Sequence, residues 1–294
     1  MNTLPRHTRT LVLNLLVEGM SIRSTARVAK VSRNTVTKLL IDAGKACSEY
    51  QDKALRDLPC TRMEVDEIWS FVYAKEKNVI RAKNAPEEAG DVWTWTAICA
   101  DTKLVPSWRI GDRTSATGIE FMDDLRSRLA NRVQLTSDGH RAYLDAVEGA
   151  FGGDVDYAQL VKIYGTTPEP DSTTRYSPSQ CVGARKQVVS GDPDRNLVST
   201  SYVERQNLTM RMSMRRFTRL TNAFSKKLEN HAHAVALHFM HYNFCRLHQT
   251  LKMTPAMKAG VTDRIWEISD LVDLVEKAQP APKKRGPYKK RNSN

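Results

Sequence analysis

Apolar residues recur at helical spacing from the first turns of the chain. Leu11, Val12, Leu15 and Leu16 make one stripe, Gly19 interrupts it, and Ile22, Ala26 and Ala29 make a second. Val31-Ser32 reads as a turn. Ser32 then caps a third helix that buries Val36, Leu39 and Leu40 and runs to about Ala43. Gly44 is a stop signal there, although the pattern can also continue into the polar, helical segment 45–60 that ends at Pro59. At Met63 the period changes to two: apolar residues at 63, 65, 69 and 71 predict a strand ending at Val72. A polar loop follows over 75–90, then strands over 92–100 and 104–110. Residues 116–129 form an amphipathic helix with Ile119, Met122, Leu125 and Leu129 on one side. A short strand over 133–136 ends at Ser137-Asp138-Gly139, followed by a helix over 141–150 and a strand over 156–163. Residues 165–198, rich in Thr, Pro, Ser and Gly, read as an insertion with a weak hairpin signal over 181–189. Helical spacing returns over 200–248 and 262–278, and the last 14 residues are Pro- and Lys-rich, a composition that stays disordered when free.

Three strands, a helix, a strand, a helix, a strand and a late helix is the order of a ribonuclease H-like domain with a mixed α/β sheet. The expected organisation is a helix-turn-helix over 1–46, a linker over 47–60, and the catalytic domain over 61–260 carrying the insertion. A C-terminal helix over 261–279 and a basic tail over 280–294 complete it.

The formal net charge of +12 favours a polyanionic partner. Its distribution says more than its size. Residues 1–50 carry eight Lys/Arg against three acids, 205–227 carry seven against none, and 281–294 carry six against none, which leaves the remainder acidic on balance. Basic segments flanking an acidic centre fit a DNA-binding surface built around carboxylates. The five cysteines form no CxxC pair, so no zinc knuckle is indicated, and their scatter suits a reducing compartment. No apolar run approaches the ~18 residues of a membrane span, and the N-terminus lacks an apolar signal core. A cytoplasmic, nucleoid-associated protein without a membrane or small-molecule partner is the expectation.

In the third helix Arg33, Asn34, Thr37 and Lys38 sit where a recognition helix meets base edges. A small helical bundle with a solvated basic face is the alternative. Three acids fall at informative places: Asp66 within the first strand, Asp138 just past the fourth, and Glu204 at the start of the late helix. In this sheet order the first and fourth strands are neighbours, so the three can converge although they lie 72 and 66 positions apart. Such a cluster repels itself unless cations neutralise it, and oxygen-only ligands favour two Mg²⁺ or Mn²⁺ ions. Alternation leaves Glu64 as the same-side competitor of Asp66 and turns Glu67 away. Asn207, Arg211 and Arg215 recur at helical spacing after Glu204 and are expected to face a DNA backbone. His140 either assists at phosphate or packs, and the histidines at 231, 233, 238, 241 and 248 read as packing. Arg285 centres an Arg-Gly-Pro tail that resembles an AT-hook and equally a nonspecific polybasic tail.

The segments Val65-Asp66-Glu67-Ile68-Trp69-Ser70, Thr136-Ser137-Asp138-Gly139 and Tyr202-Val203-Glu204-Arg205-Gln206-Asn207-Leu208-Thr209-Met210-Arg211 resemble the three acidic motifs of DDE transposases. The last is similar to the corresponding stretch of the insertion-sequence-one family. Tyr242-Asn243-Phe244 through His248 to Thr254-Pro255-Ala256 resembles the region after the catalytic helix in many transposases and integrases. The resemblance covers about 61–260. It implies Asp66, Asp138 and Glu204 as catalytic metal ligands, cleavage and strand transfer at terminal inverted repeats of double-stranded DNA, and a homodimer or larger assembly on DNA. A catalytically silent DNA-binding regulator and a ribonuclease H-type nuclease are the competing readings.

Overall fold

Strand-forming residues in the middle of the chain build one six-stranded sheet, and helices cover both its sides. The computed structural model describes residues 4–165, 181–218 and 220–279. The strands are β1 (Arg62–Val72), β2 (Gly90–Cys99), β3 (Ser107–Gly111), β4 (Val133–Asp138), β5 (Val155–Tyr164) and β6 (Cys181–Ser190). Their order is β3-β2-β1-β4-β5-β6. β2 runs antiparallel to both β1 and β3, β1, β4 and β5 are parallel, and β6 returns antiparallel on β5. This is a mixed α/β sheet with the strand order and directions of a ribonuclease H-like fold.

β1 is buried along nearly its whole length because both sides are covered. Trp95 of β2, opposite Glu67, packs on Phe121 of α5 (Ser115–Arg126) and Tyr143 of α6 (Ala142–Phe151). On the other side Glu64 and Asp66 meet α7 (Ser201–Ser213), and Ser70 meets His231 of α8 (Leu228–Met240). A short α4 (Glu76–Val79) lies in the loop after β1.

The first three helices are α1 (Arg6–Val17), α2 (Ile22–Val28) and α3 (Arg33–Ala54). The side chains of Ser21 and Ser32 accept from the backbone of Ser24 and Thr35 and so start α2 and α3. Gly19, at φ +80° behind α1, lies where a Cβ would sit 2.7 Å from the Ser213 carbonyl oxygen. α3 passes straight through Gly44, so that residue is no stop. It marks the crossing with α8: a Cβ there would stand 2.4 Å from His233 Cβ. Residues 47–54 continue the same helix, with Cys47 and Gln51 buried and Gln51 donating to the carbonyl of Ala236. α10 (Ile268–Ala278) closes on α1 through Arg6–Asp273 at 2.6 Å and Arg9–Glu276. The apolar core runs unbroken from Val12 to Val275.

Two further expectations change. Residues 181–190, read as part of an insertion with a weak hairpin signal, are a single strand that extends the sheet, with Ala184 opposite Lys162. The helical pattern over 200–248 is interrupted: Met214 turns extended at φ −132° and ends α7. Phe217 then enters the core under His231, 5.1 Å between rings. The stretch after α8 is a π-turn, His241–Cys245, in which Asn243 is fully buried. Its amide accepts from Val105 N at 3.0 Å and donates to Val105 O at 2.9 Å, satisfying a loop backbone as a strand would. Thr254 then caps α9 (Pro255–Lys258). His231 and His238 are buried, and desolvation pushes both down to about 3, so they pack as neutral rings.

The helix crossing yields a check. Gly44→Ala forces α3 and α8 apart and should lower unfolding stability by roughly 1–3 kcal/mol in a denaturant titration. Unchanged stability would mean the crossing is looser than described.

Candidate active site

Paired residues of β1 and β4 (Arg62 with Gln134, Met63 with Leu135, Glu64 with Thr136) all differ by 72 in number. Asp66 and Asp138 differ by the same 72, so register carries them opposite each other two residues beyond the last pair. Glu67 joins them: one carboxylate oxygen from each of Asp66, Glu67 and Asp138 lies within 4.8 Å of the other two. Alternation still turns the Glu67 backbone position to the Trp95 side of β1, yet its carboxylate reaches the other two acids. The ladder between β1 and β4 ends at Glu64–Thr136, and beyond it no backbone pairing joins these two strands. A Glu side chain is long enough to reach round into that gap.

The group is crowded and poorly solvated. Burial first, and then the charge of Asp138, push Asp66 up to about 7 and Glu67 up to about 8. Asn207 Nδ2 donates to Asp66 Oδ2 at 2.8 Å, and the His140 backbone N–H donates to Asp138 Oδ1 at 2.9 Å. Arg113, stacked over Trp93 at 4.7 Å, approaches Glu67 at 3.6 Å and Asp138 at 4.0 Å. Glu67 Oε1 is buried and has no hydrogen-bond partner among the described residues. An oxygen-only donor set with an unsatisfied carboxylate oxygen fits a hard divalent cation.

Glu204 stands beside this group and is not part of the close trio. Its Oε1 accepts from Lys162 Nζ at 2.6 Å and from the Thr200 hydroxyl, while its charge still raises Asp66. The other expected residues divide. Asn207 is buried and aimed at Asp66, so it does not present its amide to a DNA backbone. The buried side of α7 is Val203, Gln206, Asn207 and Met210, which leaves Leu208 and Arg211 on the exposed side. Arg215 lies past the helix end, in the turn Arg215–Phe217, and does not continue that side. His140 accepts from Ala142 N through Nδ1 at 3.0 Å and packs edge-on to Trp95 and Tyr143. Burial, then Arg113, lower its pKa, which keeps the ring neutral. Arg285 and its tail lie outside the described residues.

Glu67, Arg113 and Lys162 are the site residues that pattern reading missed. A third acid in Glu64-Val65-Asp66-Glu67 and a lysine within the strand Ala158-Gln159-Leu160-Val161-Lys162 were available signals. Arg113, in a loop, gave none.

A second surface lies on the N-terminal helices. Arg33 and Asn34 are exposed at the start of α3, Thr37 is half-buried, and exposed Lys38 pairs with Asp42 at 2.6 Å. Arg23, Ala26, Arg27, Val31 and Arg33 line an open cleft between α2 and α3. Among the described residues no acid pairs with these three arginines. Three uncompensated guanidinium groups in a cleft form a surface suited to an anion.

The sheet has the strand order and directions of a ribonuclease H-like fold, and its carboxylate cluster lies where the end of β4 stands beside the middle of β1. No family model matches the chain, and no curated protein matches it in sequence. Among solved structures it is similar to the crystal structure of a pre-cleavage Mos1 transpososome at 12% identity and a TM-score of 0.21. That match covers 53% of this chain and 60% of the other. No helix among the described residues is long and apolar enough to cross a membrane.

The raised carboxyls set a pH dependence. Between the ordinary carboxylate range near 4 and the values of about 7 and 8, the folded metal-free chain holds protons that the unfolded chain has lost. Its stability therefore falls as pH rises through that window, and a cation that replaces the protons restores it. Mn²⁺ should raise Tm more at about pH 8.5 than at about pH 6. A metal-induced shift that is equal at both pH values contradicts the cluster.

Proposed function

We propose that this chain is the transposase of an insertion sequence, binding terminal inverted repeats of double-stranded DNA and catalysing metal-dependent strand cleavage and strand transfer. The observation that supports this most is the shared 72-residue offset that sets Asp66 opposite Asp138, with Glu67 in the same space. The resemblance of three separate segments to the DDE motifs, carried on this sheet order, supports it further. On this reading Asp66, Asp138 and Glu204 hold two Mg²⁺ or Mn²⁺ ions, with Glu67 as a further oxygen donor. Ions held there would supply Lewis-acid activation of an attacking water or 3′-hydroxyl and charge stabilisation of the leaving oxygen at a phosphodiester. The chain's own residues do the remaining work. Asn207 orients Asp66, Arg113 and Lys162 offset charge around the acids, and the first turn of α3 reads the element end. Joining two ends calls for at least a dimer on DNA.

A silent DNA-binding regulator is the second reading, and the observation in its favour is the engagement of Glu204 by Lys162 and Thr200. Cleavage separates the two. The full chain with Mg²⁺ or Mn²⁺ should nick duplexes carrying its element ends and join the new 3′ ends to target DNA, in preference to RNA–DNA hybrids. Asp138→Ala should lower the rate by about 10²–10³-fold or more while leaving DNA affinity within a few-fold. Binding without any metal-dependent cleavage would select the regulator.

The N-terminal cleft gives a second expectation. Arg23→Ala and Arg27→Ala should weaken binding to all duplexes alike, each reducing the salt slope by about 1. Asn34→Ala should instead relax sequence preference, read by competition between element-end and scrambled duplexes. Unchanged binding in all three variants would remove this surface from DNA recognition.

A further inference from the structure

Glu64 has the right position for a metal ligand and a different occupation. It lies on the same side of β1 as Asp66 and is buried, 3% exposed. Its Oε2 accepts from Tyr202 N at 2.7 Å and from Val203 N at 3.1 Å. These are first-turn amides of α7, which no intrahelical carbonyl can serve. The local residue that normally serves them does not: Thr200 makes no side-chain cap bond, and its hydroxyl goes to Glu204. The cap therefore comes from a strand 138 residues away. Tyr202 is held from its other end as well, with the Lys103 ammonium 3.2 Å from its ring centre.

Four residues after Val203, Asn207 donates to Asp66, which lies two residues after Glu64. Two residues of strand span about 6.6 Å and four residues of helix about 6 Å, so the two connections are nearly parallel rungs between β1 and α7. One rung alone lets the helix pivot; two fix its position and direction. We infer that Glu64 is a positioning residue that seats α7 on β1 and so sets where Asn207 and Glu204 stand relative to Asp66. The inference rests on the proposed function only for its catalytic consequence; the seating itself is independent of it.

The experiment is hydrogen exchange on the full chain, with peptides covering 199–210, alongside Mn²⁺ binding and cleavage kinetics. Glu64→Ala should speed exchange over 202–207 by about tenfold or more, with peptides from β2 and α8 unchanged. Glu64→Gln keeps an acceptor oxygen and should stay within about threefold of the parent chain. Glu64→Asp, shorter by one methylene, should fall between them and replaces the alanine variant if that fails to fold. In cleavage, Glu64→Ala should lower kcat about tenfold or more with KM for DNA unchanged, weaken Mn²⁺ binding, and be rescued by Glu64→Gln. Parent-like exchange in the alanine or aspartate variant overturns the inference, as does faster exchange spread evenly over the whole chain. If the exchange pattern appears but the parent chain neither binds Mn²⁺ nor cleaves, the seating stands and the transposase reading fails.

Discussion

Like charges held close together in a poorly solvated place are the constraint around which this chain is organised. Two parallel strands bring Asp66 and Asp138 face to face, and Glu67 adds a third carboxylate to the same small volume. Left alone, three such groups either take up protons or force the strands apart. The chain answers with an arginine on one flank, a lysine on the other, an amide from α7, and the raised affinity for protons that burial imposes. Each answer is partial, and the buried Glu67 oxygen with no described partner marks what remains unmet. A site left wanting positive charge is prepared for a cation.

The sheet is what makes such crowding tolerable. Asp66 and Asp138 both lie beyond the last paired residues of β1 and β4, where no hydrogen bonds tie these two strands together. Glu64, two residues earlier on the same side of β1, is still within the ladder, and its carboxylate is turned to capping α7. Position along one strand thus separates a carboxylate that builds from carboxylates that can bind.

Period-two and helical spacing made much of this fold readable, because burial on one or two sides imprints itself directly on residue choice. Five of the sheet's six strands and the two helices of its far cover were legible in this way. So was the approach of positions 66 and 138, since the strand order makes β1 and β4 neighbours. What escaped was decided between distant segments. β6 is exposed on both sides, so nothing in its composition reported that it pairs with β5. Gly44 looked like a terminator because a lone glycine ends many helices; only the partner helix supplies the reason for its lack of a side chain. Asn207 has the polarity of a surface residue and was read as one, whereas a single acceptor on β1 makes its burial favourable. Glu67 was set aside because alternation turns it to the other side of β1, and the end of the β1–β4 pairing is what lets its longer side chain reach the two aspartates.

The unbroken passage of α3 through Gly44 has a mechanical meaning. Its 22 residues span about 33 Å, from the exposed arginine at its start past the crossing with α8 at Gly44 to Ala54. One end belongs to the three N-terminal helices and the other to the body that holds the acids, with no swivel in between. On the reading proposed here, a base sequence gripped at one end dictates how far along the duplex the backbone is delivered to the carboxylates. The helix would act as a ruler whose unit is its own rise, and a single inserted residue would both lengthen it and rotate its reading edge by about 100°.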